Sequence, residues 1–154
     1  MPTDVIGPSF EHYFEKFATQ ARTLTAGLTD DQFWTRPYEY GNSIGHLVLH
    51  ITGNLNYYIG AQIAGTGYVR NRPLEFTDTS RRPKEEVLAA LDEAVALVKR
   101  TVRGQSIEDW SRAYEATGSD DRTRFAIVLR CLAHFEHHLG QIIYLVKEQD
   151  PRQR

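Results

Sequence analysis

Six histidines stand at positions 12, 46, 50, 134, 137 and 138. Four of them form two pairs at i, i+4 spacing, His46 with His50 and His134 with His138. On a helix that spacing places two side chains one turn apart on one face, so two imidazoles can share an ion. A third ligand must then come from another helix. Three neutral imidazoles with an open fourth position suit zinc or nickel, and also admit copper or iron. The open position would take water or a substrate, and a divalent ion there brings the pKa of water towards neutrality. The rival reading is plain: histidines at the edge of a core often only hydrogen-bond a neighbour, and one H-x-x-x-H among six histidines arises readily by chance.

Which histidines can converge depends on the elements that carry them. Four segments have helical periodicity. The first runs from about Pro8 to about Gly27, with Phe10, Tyr13, Phe14, Phe17, Ala21, Leu24 and Leu28 at steps of three and four. "TDDQFW" after it offers a capping box, Thr29 with Gln32, for a short helical turn. The second helix begins after "YGNS", capped by Asn42 or Ser43, and ends near Gly65 to Gly67. The third is "RRPKEEVLAALDEAVALVKRTV", with Pro83 early and acids in its first turns. The last runs from about Arg122 to about Gln149. No strand-like alternation, repeat or low-complexity run is present. The expectation is an all-α chain, one domain over residues 1–154, folded as a four-helix bundle. The loops around 65–82 and 104–121 are long enough to cross the bundle, which argues against a simple up-down-up-down order.

On the last helix, Cys131, Leu132, Phe135, Leu139, Ile142 and Val146 make the apolar stripe. His138 falls roughly 60° from its centre, His134 roughly 100°, and His137 about 160°, on the face with Arg130, Ala133 and Tyr144. On the second helix, His50 sits at the margin of the Leu47, Ile51, Leu55 and Tyr58 stripe, Asn54 lies one turn on and nearer the core, and His46 is further round. His50 is thus the better-placed third ligand. His12 and His137 read as solvent-facing, and Cys131 as a small core residue.

The rest of the composition excludes several classes. A formal net charge of -2 and no basic face with interleaved aromatics disfavour nucleic acid. A single cysteine excludes an intrachain disulfide framework and fits a cytoplasmic setting. The N-terminus has no signal-peptide pattern, and no apolar run is long enough to span a membrane.

"SIGHLVLHITGN", with "HFEHHLGQIIYL" far downstream, resembles the DinB-like superfamily, which takes in YfiT-type metal-dependent hydrolases and enzymes that use low-molecular-weight thiols, such as mycothiol-dependent maleylpyruvate isomerase and bacillithiol S-transferases. The resemblance spans nearly the whole chain in element order. It implies a four-helix bundle, commonly dimeric, with a divalent ion at three histidines. The helix-two histidine before "xxGN" maps to His50, the H-x-x-x-H to His134 and His138, and the subsequent "GQ" to Gly140-Gln141. His46 lies outside that pattern and its role stays open. Trp34, Tyr38, Tyr40 and Trp110 are aromatics that one small bundle can leave uncovered, a second hint of a homodimer.

Two function classes remain. One is a metal-dependent enzyme, a thiol transferase or hydrolase, for which Arg70 and Arg72 are candidate partners for an anionic thiol and Asn54 and Gln141 candidates to orient a ligand. The other is a non-catalytic metal- or ligand-binding bundle with a stress-related role.

Overall fold

Phenylalanine, leucine and β-branched residues at steps of three and four drive this chain into helices that can each bury one stripe. The computed structural model describes residues 4–150 and 152. Among them are α1 (Ile6–Thr25), α2 (Asp30–Trp34), α3 (Ile44–Leu55), α4 (Leu74–Thr77), α5 (Lys84–Arg103), α6 (Ile107–Trp110) and α7 (Arg124–Gln149). These residues contain no strand, only an isolated bridge between Ala113 and Thr123.

The long helices close around one core. α1 packs on α5 and α7, and α3 packs on the same two, so α1 and α3 face each other across the interior. Phe14, Ile51, Leu91, Phe135 and Ile142 are among the side chains sealed there. Each contributes about 1.5–3 kcal/mol of burial free energy. The two long connections differ. The segment after α5 joins helices that lie diagonally, as a crossover does. The segment 62–83 joins α3 and α5, which pack on each other, and instead of crossing it folds back over α3 through α4.

Local signals set the helix ends. Ser43, not Asn42, caps α3, its hydroxyl accepting from the His46 backbone N–H at 3.0 Å. Thr29 and Gln32 complete the capping box of α2 in both directions. The start of α7 lies two residues later than the periodicity suggests, because the Thr123 hydroxyl accepts from the Ala126 N–H and fixes the cap. The Lys84 ammonium donates to the carbonyls of Thr25 and Leu28 at 3.0 and 2.7 Å, placing a cation at the C-terminal end of α1. At Asn56 α3 widens into a π-helical stretch that continues to Ala61. A π turn inserts a residue into the helix and re-aims the side chains after it, here Tyr57 and Tyr58.

Trp34 and Trp110 are 5% and 3% exposed. The Trp34 indole donates to the Arg82 carbonyl at 2.8 Å, and Trp110 packs on Phe10 with ring centroids 5.4 Å apart. Both rings are covered within the single chain, so neither is an uncovered aromatic. Tyr38 and Tyr40 remain exposed, with Tyr144 beside them around a shared surface hollow. No helix among the described residues is long and apolar enough to cross a membrane.

Candidate metal centre

α3 and α7 lie side by side, and each presents the margin of its apolar stripe to the other. His50 comes from α3, and His134 and His138 from successive turns of α7. The His134 Nε2 lies 2.9 Å from His50 Nε2 and 3.0 Å from His138 Nε2. One ligand atom from each of the three residues falls within 4.8 Å of the others, a group that can hold a metal ion.

The surroundings fix which nitrogen of two of these rings is free. The His50 Nδ1–H donates to the Glu75 carboxylate at 2.8 Å, and the His138 Nδ1–H donates to the Gln141 side-chain oxygen at 2.7 Å. Both acceptors force the proton onto Nδ1 and leave the Nε2 lone pair aimed inward. A carboxylate or amide oxygen behind a ligating imidazole is the usual means of orienting the ring and raising its basicity. The His134 Nδ1 is buried and has no hydrogen-bond partner. Three imidazole nitrogens converging on one point fit a divalent transition metal.

Burial favours the neutral form of the two α7 rings. Burial pushes His134 down to about 3, helped by the neighbouring His138 and His50 and by Arg70 and Arg130. Burial also lowers His138, against the Gln141 hydrogen bond. Glu75 is held as a carboxylate: burial works to raise it, but the hydrogen bonds from His50 and Arg70 prevail and the net direction is down. Arg70 donates to both Glu75 oxygens, Nε to one and Nη2 to the other, each at 2.8 Å. The result is a buried Arg70–Glu75–His50 relay that runs from the 62–83 segment into the three histidines.

Glu75 can reach α3 because Gly53 is there. A Cβ at Gly53 would overlap the Glu75 carboxylate. This gives the "TGN" after His50 a physical meaning, since the glycine is the opening through which α4 delivers its acid.

His46 is buried but turned to a different task. Its Nε2–H donates to the Asp78 carbonyl at 2.8 Å, its Nδ1 meets the Ser43 hydroxyl at 2.5 Å, and its ring stands edge-on to Trp34. It ties the start of α3 to the segment after α4 and takes no part in the three-nitrogen group. Arg70 acts through Glu75 rather than as a loose surface cation. Arg72 lies over Phe76, with the guanidinium carbon 5.3 Å from the ring centre. His12 and His137 are exposed and are not members of the three-nitrogen group, although the His137 ring stands 5.0 Å from that of His138. Cys131 is buried in the core, and burial pushes its thiol up to about 12, so it offers no thiolate.

A cleft of about 880 Å³ opens onto His50 and His134, lined also by Asn54, Tyr58, Arg72 and Arg130. Sequence reasoning misses three of the residues that matter here. Glu75 sits in a segment whose prolines and polar residues read as linker, and only the rule that a ligating histidine seeks an acceptor points to an acid nearby. Helical phase puts Arg130 on the outward face of α7, although its i, i+4 spacing to His134 is an available signal. Tyr58 belongs to the core stripe by periodicity, and the π turn that moves it has no sequence signature.

A family model described as the DinB superfamily matches residues 13–142. No curated protein sequence matches the chain. Among solved structures, a conserved protein from Enterococcus faecalis superposes with a TM-score of 0.76 at 17% identity, covering 92% of this chain and 95% of that one, which establishes a shared fold. With a family match over most of its length, the chain belongs to the DinB superfamily.

Proposed function

We propose that this protein is a metal-dependent enzyme of the thiol-transferase or hydrolase type, holding one zinc or nickel ion through His50, His134 and His138. The observation that carries the reading is the convergence of three Nε2 atoms, two of them set in the ligating tautomer by Glu75 and Gln141. An ion bound there supplies Lewis acidity, able to polarise a carbonyl or keep a thiol or water deprotonated at neutral pH. The protein's own part is positional. Glu75 and Gln141 hold two rings in place, Arg70 holds Glu75, and the cleft leaves one side of the histidines open to a small molecule.

That open side favours an enzyme over a purely structural ion, because structural sites are closed by protein ligands. The alternative, a non-catalytic metal- or ligand-binding bundle, draws its support from the location of the histidines on two helices, where an ion would brace the fold. The test is metal analysis of purified protein with activity screens against electrophiles in the presence of several cellular thiols. Stoichiometric zinc or nickel with turnover supports the enzyme, and metal without any turnover supports the bracing role. A homodimer belongs to the same proposal, with the exposed Tyr38, Tyr40 and Tyr144 as its contact face.

A further inference from the structure

The cleft beside the histidines has an unbalanced charge. Arg70, Arg72 and Arg130 all line it, and none of the described residues lining it is acidic. Arg70 is already committed to Glu75. The other two are not. The Arg72 side chain lies over the Phe76 ring, and no carboxylate is in ion-pair reach of it among the described residues. Arg130 has Asp121 at 3.6 Å, and the Asp121 oxygen concerned already accepts from the Ser119 hydroxyl at 2.6 Å. Arg130 also lies over Tyr58, its guanidinium carbon 5.4 Å from the ring centre, with Arg70 at 5.8 Å from the same ring. Two cations on one ring, with one of them weakly countered, leave a guanidinium fork facing the cleft that matches a carboxylate.

A second observation points to the same space. Asn54 lines the cleft, is 6% exposed, and its Oδ1 is buried without a hydrogen-bond partner. An unpaired buried acceptor costs about 1–3 kcal/mol, which a ligand donor would recover.

We infer that the cleft binds a small organic carboxylate that also carries an N–H or O–H donor, the carboxylate at Arg72 and Arg130 and the donor at Asn54, so that its remaining end faces His50 and His134. The inference rests on the proposed metal-enzyme reading and names the substrate class that reading leaves open. Tyr57 and Tyr58 line the cleft, and their hydroxyls donate to the Thr117 and Gly118 carbonyls at 3.3 and 3.0 Å, tying this wall to the connection before α7.

Calorimetric titration of the zinc-loaded protein tests it with three probes: N-acetyl-L-alaninate, its uncharged N-methylamide, and acetate. The alaninate should bind about tenfold tighter than either of the others, since each of those lacks one of the two interactions. Arg72→Ala and Arg130→Ala, both at exposed positions, should each weaken the alaninate about fivefold or more and leave the N-methylamide unchanged. Arg130→Lys should keep part of the affinity. Asn54→Leu should reduce the alaninate to the level of acetate. Arg100→Ala, on the outer face of α5, serves as the control. The series is repeated after chelation, with metal content measured separately. A preference for alaninate that persists without metal, and still depends on the arginines, assigns the anion to the cleft even if the metal-enzyme reading fails. A preference that vanishes with the ion, or arginine variants that bind as the parent does, overturns the inference while leaving the metal site intact.

Discussion

His50, His134 and His138 differ from the other three histidines in one respect: one nitrogen of each faces the same point. Alanine at any of the three removes one of three protein ligands, and metal content should fall steeply by elemental analysis, whereas His137→Ala and His12→Ala should keep it. Retention in His138→Ala with loss in His137→Ala would contradict the helix phase. Glu75→Gln keeps the shape of the acceptor and removes its charge, so metal affinity should drop about 10- to 100-fold in competition with a chelator. An unchanged affinity would mean that Glu75 serves only Arg70. The metal-free site also sets a pH dependence. His134 is pushed from 6.5 down to about 3 in the folded chain, and His138 moves in the same direction. The unfolded chain therefore takes up protons that the folded one refuses. Stability of the metal-free protein is full above about 6.5 and is lost as pH falls from there towards about 3. Urea midpoints at about pH 7.5 and about pH 5 check this, and equal midpoints would count against it. The three histidines are legible in the sequence because an α-helix advances by a fixed angle and the stripes are unambiguous. Glu75 is not, because its place depends on where a loop folds back, which no periodicity encodes.

At the scale of elements, two glycines make opposite predictions. Gly53 faces the Glu75 carboxylate at the α3–α4 contact, so Gly53→Ala should cost about 1–3 kcal/mol and weaken metal binding with it. Gly140 sits in the interior of α7 with nothing within 4 Å of a would-be Cβ. Gly140→Ala should instead stabilise by about 0.5–1 kcal/mol, because alanine loses less backbone freedom on forming a helix. Chemical denaturation of both variants checks the pair, and a destabilised Gly140→Ala would point to a contact that the single chain does not contain. The four long helices are readable from apolar steps of three and four, and the capping box at Thr29 from its residue types. The short helices α4 and α6 are not, since four residues hold too little pattern. The widening of α3 at Asn56 is not readable either, since no residue there has a type that marks a π turn.

At the scale of the molecule, the exposed tyrosines are the face proposed for self-association, and Tyr40 is 89% exposed. Sedimentation should give a dimer at micromolar concentration, and Tyr40→Glu with Tyr144→Glu should yield a folded monomer. A monomer in the parent protein would end that proposal. The two halves of the histidine group carry a further consequence. His50 and His134 are 84 residues apart in the chain. Joining them by an ion closes a loop that takes in the 62–83 segment, all of α5 and the crossover after it. A covalent tie across a loop of that size is worth about 4.5 kcal/mol through the disorder it denies the unfolded chain. This chain, with one buried cysteine, cannot make such a tie from sulfur. An ion would give it a removable one, so its melting temperature becomes a gauge of free metal in its surroundings, rising with supply and falling when a chelator cuts the tie.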